Sequence, residues 1–312
     1  MAKLMRKMLL LAKIEVSAGT DSTPTAAANA MLVRSTQPEL ITAEYVDRAN
    51  IKPYFGNNSQ LAAGIHREIT FEMEIAGAGT AGGTPAWDAL IRACGFAAST
   101  PGGSPGEKHY TPISDSIPTV TLYSYLDGIR WKMLGCVGNV SMNFTAKGIP
   151  VFQFRFVGEY QAGADVALPS DASYSAFVDP VTVGKVWTPT FSIHGNTACL
   201  SSLSIDMANN AIYRDLVGCG GPLITDRKPT GTAVFELPSI ATYAWDEAIK
   251  NSTSGSLNLV HGRTAGNIVQ IECPAVTCNN ASIQDQDGIA FLSLGLAIQP
   301  LTGNDEIVIT CS

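Results

Sequence analysis

Apolar and polar residues alternate along Ile69-Thr70-Phe71-Glu72-Met73-Glu74-Ile75, and a period of two puts Phe71, Met73 and Ile75 on one face of a β-strand. Gly77, Gly79, Gly82 and Gly83 then end the strand in a loop. The period changes next: Trp87, Leu90, Ile91 and Cys94 fall at helical spacing, one apolar stripe that predicts a helix packed on a sheet. Thr84 suits its start as a cap for free N–H groups, Pro85 fits the first helical position, and Gly95 suits its end. Strand-like runs over residues 118–125 and 129–133 flank Asp127-Gly128, the signature of a two-residue hairpin. A second antiparallel pair is predicted for residues 139–144 and 151–157 around Lys147-Gly148, with Phe152, Phe154 and Phe156 facing away from Gln153 and Arg155.

This pattern occurs twice. Thr84-Pro85-Ala86-Trp87-Asp88-Ala89-Leu90-Ile91 returns as Thr242-Tyr243-Ala244-Trp245-Asp246-Glu247-Ala248-Ile249, and each copy follows a Phe-Glu pair, Phe71-Glu72 or Phe235-Glu236. The apolar strand at 149–154 recurs at 289–294. Strand, helix start and strand repeated in the same order indicate an internal duplication. The copies differ in spacing, with sixteen residues from Phe71 to Trp87 and ten from Phe235 to Trp245. In the second copy Thr242 is the candidate cap, and Trp245, Ala248 and Ile249 form the stripe.

Residues 159–185 scatter Gly163, Pro169, Ser170, Ser173, Ser175 and Pro180 through few regular patterns and read as a linker. Strand-like runs resume at 190–193, 199–207 and 289–296. The predicted class is therefore mainly β, with two tandem β-sandwich or partial-barrel domains over residues 1–175 and 176–312, each carrying one packed α-helix. Residues 17–30, rich in Ser, Thr, Gly, Pro and Ala, read as an extended segment within an N-terminal arm spanning residues 1–35.

Composition sharpens the picture. A chain of 312 residues holds two domains of about 150 residues, each able to fill a core. Charged residues make up only 15%, so much of the neutral surface is expected to face other copies of the chain. A net charge of -7 argues against a protein that grips nucleic acid through its phosphates. A neutral or acidic wall instead lets a polyanion slide past. Seven cysteines, an odd number with no CxxC pair, fit buried thiols in a reducing compartment, and only Cys273 and Cys278 lie close enough for a small local loop. The apolar run 8–12 follows Lys3, Arg6 and Lys7 but stops at Lys13, short of a signal-peptide core, and nothing approaches the ~20 apolar residues of a membrane span. A protein made and kept soluble inside a cell is the expectation.

Chemical motifs give way to structural readings. His66, His109, His194 and His261 have no second His or Cys at metal-ligand spacing, His194 with Cys199 being the tightest combination. Asp285-Gln286-Asp287-Gly288 lacks the longer oxygen-ligand loop of a calcium site and reads as a turn. Asp88 and Asp246 stand early in their helices, where a negative charge offsets the helix dipole. The G-x-G-x-x-G string at 77–82 lacks the parallel strand and acidic residue of a dinucleotide site. Ser104 in the G-x-S-x-G string at 102–106 is flanked by glycine and proline, which denies it the strand and helix of a nucleophile elbow. No catalytic residue, metal ligand or cofactor site is nominated, and a non-enzyme is expected. Trp87 and Trp245 read as core anchors.

The opening Arg6-Lys7-Met8-Leu9-Leu10-Leu11-Ala12-Lys13-Ile14-Glu15, with Gly19-Thr20-Asp21 and Pro24-Thr25-Ala26-Ala27-Ala28-Asn29-Ala30, resembles the start of tail tube proteins from long non-contractile bacteriophage tails. The likeness continues through Phe71-Glu72-Met73-Glu74-Ile75-Ala76-Gly77-Ala78-Gly79, Pro85-Ala86-Trp87 and the strands to Phe156, and extends more weakly to about residue 300. The resemblance implies a structural virion protein of the tail, assembled in the bacterial host cytoplasm into stacked rings that conduct the genome. It implies an inner barrel, which we expect from strands 139–144, 151–157, 199–207 and 289–296, with a lining that is polar and biased toward acid. Two tube units in one chain would make a ring of three copies with pseudo-sixfold symmetry, whereas one tube unit with a decoration domain would need six. Implied partners are tape measure, distal-tail and terminator proteins, with double-stranded DNA passing without specific binding and no membrane. Two rivals are another virion ring or capsid decoration protein, and a carbohydrate-binding adhesive module using Tyr123, Tyr125 and Trp131 as a platform.

Overall fold

The computed structural model of the chain describes residues 2–38, 40–104 and 106–312. Met1 of the expected arm and Pro105 of the loop around Ser104 lie outside the described residues. Alternating sequence yields strands nearly throughout. The first half runs β1 (Met8–Ile14), α1 (Ala26–Asn29), β2 (Ala30–Met31), β3 (Thr36–Pro38), β4 (Thr42–Asp47), β5 (Gln60–Glu74), α2 (Asp88–Ala93), β6 (Phe96–Ser99), β7 (Lys108–Pro112), β8 (Val120–Leu126), β9 (Ile129–Thr145), β10 (Val151–Tyr160) and β11 (Ala164–Asp165). The second runs β12 (Thr190–Ile193), β13 (Asn196–Thr197), β14 (Leu200–Asp206), β15 (Asn209–Leu216), β16 (Cys219–Arg227), β17 (Thr230–Glu236), α3 (Trp245–Lys250), β18 (Ser254–His261), β19 (Val269–Gln286), β20 (Ile289–Gln299) and β21 (Val308–Cys311).

The two predicted hairpins form. Leu126 pairs with Ile129 across Asp127 and Gly128, whose φ angles of 38° and 90° give the left-handed turn that suits twisted strands. β9 pairs antiparallel with β10, and Phe152, Phe154 and Phe156 are buried while Gln153 and Arg155 are exposed. Both helices are shorter than their stripes predict. α2 starts at Asp88 and α3 at Trp245, and neither has a side-chain cap, so Thr84 and Thr242 do not serve as caps. The Trp87 indole instead donates from Nε1 to the Ala76 carbonyl at 2.9 Å, fixing the chain just before α2. Trp87, Leu90, Ile91 and Cys94 are all buried, as the stripe requires. Gly95, at φ 85°, ends the helix in the conformation that favours glycine.

Antiparallel pairing arranges the strands in a continuous run: β4, β5, β10, β9, β14, β17, β20, β19. β3 pairs with the other end of β5, on the same edge as β4. A second layer of pairing joins β2, β1 and β8 to the start of β9, and β12 and β18 to the start of β19. β9 and β19, at 17 and 18 residues, are long because each passes from one layer into the other. Gly135, at φ 62°, lies where the β9–β10 register shifts.

The architecture is mainly β, as expected, but two discrete bodies are not resolved. Ser202 to Asp206 of β14 pair directly with Ser141 to Thr145 of β9, and buried residues from both halves, including Phe71, Phe154, Phe144, Leu203, Phe235 and Leu292, form one core. Nor do residues 8–31 extend as an arm. β1 pairs with β8 over its whole length, and the segment after it folds back on the same sheet through polar anchors described next.

Candidate assembly surface

Away from the core, the eight-strand run presents a polar face. Glu72, Gln153, Ser141, Asp206 and Thr230 stand side by side across β5, β10, β9, β14 and β17, and Asn143, Ser204 and Thr232 make a parallel row. Asn143 accepts from Ser204 Oγ at 2.8 Å, and Asn139 donates to Asp206 at 2.7 Å, so the β9–β14 joint is tied through side chains as well as backbone. Glu68, Glu72, Glu74, Asp206 and Glu236 supply carboxylates to this side. Arg155 offsets Glu68 in a bidentate pair at 2.7 Å, and Arg34 Nε lies 4.0 Å from Glu74. The strands expected at 139–144, 151–157 and 199–207 therefore lie side by side, with 289–296 one strand further on. β17, which separates β14 from β20, carries the Phe235-Glu236 pair of the repeat but was not among the strands expected in the barrel.

The β15–β16 hairpin, also unanticipated, leaves the end of β14 and lies over the first half. Ala211, Tyr213 and Ile224 pack with Val137 and Val157, Tyr213 stacks on His66 at 5.0 Å, and Asn209 donates to the Cys94 and Gly138 carbonyls. Arg227 at its end pairs with Glu306 and donates to the Ile113 carbonyl at 2.9 Å.

Buried Glu15 fastens the N-terminal segment. It accepts hydrogen bonds from Gly19 N, Thr119 Oγ1, Thr121 Oγ1 and Gly135 N, all at 2.7–2.8 Å. Asp21 adds a second anchor on Tyr123 and Lys132. Burial alone would raise its pKa, but hydrogen bonds from Lys132 at 2.7 Å and from Tyr123 hold the carboxyl below its usual value.

The remaining candidates are accounted for by packing. His194 sits between the Tyr243 hydroxyl and the Val276 carbonyl at 2.8 and 2.9 Å. Cys199 does not accompany it; Cys278 is the nearby sulfur, at 3.8 Å. Cys273 and Cys278 lie in one strand as free thiols. Among the described residues no group of three or more His, Cys, Asp or Glu is placed to hold a metal ion. Gly77, in the glycine string, is required by close approach to the 266–267 backbone: a Cβ there would lie 2.3 Å from the Gly266 carbonyl oxygen. Asp285 accepts from Gly288 N at 2.8 Å and forms the expected turn. Tyr123 and Tyr125 are buried, which removes the exposed platform an adhesive module needs.

Fold and surface together define a β-rich scaffold with a polar sheet face that carries Glu68, Glu72, Glu74, Asp206 and Glu236. A model of the phage tail tube protein family matches residues 5–311, nearly the whole sequence, and the chain belongs to that family. It is a structural protein of the phage tail and not an enzyme. No curated protein matches the chain significantly.

Proposed function

We propose that the chain polymerises into stacked rings of three copies, forming a hollow tube through which the genome passes. One observation carries the reading: β3, β5, β10 and β9 in the first half correspond in order and direction to β14, β17, β20 and β19 in the second, Thr36 standing opposite Phe71 as Leu200 stands opposite Phe235, and the two sets join edge to edge at β9–β14. Each chain then brings two tube units, residues 1–175 and 176–312, and three chains stand in for six.

Sheet geometry favours this number. With strands about 4.8 Å apart and tilted about 40°, each strand adds about 2 Å to the diameter of a closed sheet. Eight strands closing on themselves would span about 16 Å between backbones, too narrow for a duplex roughly 20 Å wide. Three copies would span about 48 Å, leaving a bore near 35–40 Å once side chains project inward. The polar face would line that bore, where Glu72, Glu74, Asp206 and Glu236 repel phosphate and keep DNA from sticking. Core residues lie on the other side, between the barrel and the outer layer. Ring closure also removes sheet edges that would otherwise aggregate. Tape measure, distal-tail and terminator proteins would meet the tube inside and at its ends, after assembly in the host cytoplasm.

Negative-stain microscopy of the purified, concentrated protein tests the reading. Long hollow tubes are expected. Isolated discs alone would favour another virion ring protein, and dispersed monomers at every concentration would contradict polymerisation.

A further inference from the structure

The repeat extends to the segment that opens each half. β1 pairs with β8 as β12 pairs with β18, both antiparallel, so β1 and β12 are counterparts. Each is preceded by the same turn: Lys7 N donates to the Leu4 carbonyl and Trp187 N to the Gly184 carbonyl, both at 3.1 Å. The residue that closes the turn then offers its own carbonyl to the hairpin beside it, Lys7 to Asp127 N at 2.9 Å and Trp187 to Gly262 N at 2.6 Å. Lys7 therefore corresponds to Trp187, and Lys3 to Val183.

In the second half this opening segment crosses onto the first. Val183 N donates to the Gly148 carbonyl at 2.8 Å and the Val183 carbonyl accepts from Lys147 N at 2.9 Å, so the residue before the turn is fastened to the β9–β10 connection and is only 4% exposed. The contact accompanies the β9–β14 joint, where the same end of β9 pairs with the second half. Lys3 is exposed by contrast, and its ammonium donates to the Asp127 carbonyl at 2.8 Å. The counterpart of the β9–β10 connection is the β19–β20 turn, which is shorter: Gln286 pairs with Ile289 across two residues, whereas Asn143 pairs with Val151 across seven. It is also of opposite charge. Where the β9–β10 connection presents Lys147, the β19–β20 turn presents Asp285 and Asp287, both exposed.

We propose that Lys3 of one copy forms an ion pair with Asp287 of the copy beside it, in the place where Val183 meets Lys147 and Gly148 within the chain. Both sides of the contact change together: a buried valine facing a lysine turn becomes a lysine facing an aspartate turn. The four-carbon stem of the lysine spans the distance that the shorter turn leaves, and Asp285 adds to the field that holds the ammonium. The opening segment of each half then lies on the half before it all round the ring, through backbone bonds within a chain and through charge between chains. This inference rests on the ring reading and names one contact at each joint between copies.

Zero-length carbodiimide coupling of assembled tubes, which joins an amine to a carboxylate only where the two touch, tests the contact. Mass spectrometry should find a peptide linking Lys3 to Asp287 or Asp285 in tubes and not in the monomer. Denaturing gels should show linked chains up to three and no further, because a contact around one ring closes on itself, and Lys3→Gln should remove those bands. Asp287→Lys gives an independent readout. A lysine is tolerated in that backbone conformation, as Lys147 at φ 65° shows, so the monomer should keep its urea midpoint. Tube yield should nonetheless fall about tenfold or more through like-charge opposition, and adding Lys3→Asp should restore it. If tubes form but the Lys3 peptide is missing and Asp287→Lys assembles normally, the contact is overturned and the ring reading survives. A Lys3-dependent ladder running beyond three chains would place the contact outside a three-copy ring and overturn it too. If the unsubstituted protein forms neither rings nor tubes, both fall.

Discussion

Ile205 stands opposite Met142 across the β14–β9 joint, and both side chains are fully buried in a core shared by the two halves. A joint of this kind couples the halves energetically: neither sheet can open without exposing residues of the other. Unfolding should therefore be one cooperative transition, with fluorescence and circular dichroism coinciding in urea. Ile205→Ala should cost about 2–4 kcal/mol and preserve that coincidence. Two well-separated transitions in the unsubstituted protein would contradict the coupling.

The two tryptophans, equivalent in the repeat, should respond differently to removal of the indole N–H. Trp87 donates to Ala76, whereas Trp245 Nε1 has no acceptor among the described residues. Trp87→Phe leaves a buried carbonyl short of its partner and should cost about 1–3 kcal/mol beyond the loss of ring volume. Trp245→Phe loses no hydrogen bond and should cost less. Equal shifts in the urea midpoint would count against this distinction. Trp87→Ala, emptying a site only 2% exposed, should cost about 3–5 kcal/mol.

Much of this was legible along the chain, for a physical reason. Period two at 69–75 and 151–157 sorts residues by face locally, and Asp127-Gly128 names its own turn, so strands and hairpins could be read directly. The start of α2 differs from the reading because Trp87 is held by Ala76, two residues beyond β5, a constraint that propensity at Thr84 does not carry. The β9–β14 joint and the fastening of the N-terminal segment were not legible. Both depend on distant partners: Glu15 looks like one more charged residue until Thr119, Thr121 and Gly135 are brought around it.

Two histidines should give the fold a dependence on acid. Burial lowers the pKa of His261, whose Nδ1 lies 2.9 Å from the Thr188 hydroxyl, and burial likewise lowers that of His194; backbone carbonyl contacts oppose the shift in each without reversing it. Their folded values lie below the unfolded value of about 6.5, so the unfolded chain binds more protons in that interval. Stability from these groups is complete above pH ~6.5 and declines as pH falls toward the folded values, by at most about 1.4 kcal/mol per pH unit for each histidine. Urea midpoints measured from pH 7.5 to 5.5 should fall, and His261→Gln should flatten the slope. A midpoint unchanged across that range would contradict the assignment.

The Asp21–Lys132 pair should act at lower pH. Its folded carboxyl lies below the unfolded value, so the pair's contribution is complete above about pH 4 and disappears as pH drops through the folded value. Asp21→Asn should remove that acid-side loss and, at neutral pH, loosen the segment around residues 17–25, read as faster amide exchange there. Unchanged exchange would mean that Glu15 alone fastens the segment.

The central claim is that one chain carries two tube units and three chains complete a ring, and helical reconstruction of assembled tubes by electron cryomicroscopy tests it most directly. The account predicts three chains per ring, pseudo-sixfold at low resolution, with the two halves alternating around a single closed sheet whose Glu72, Asp206 and Glu236 face the bore. Six chains per ring, with the second half standing outside the barrel, would contradict it.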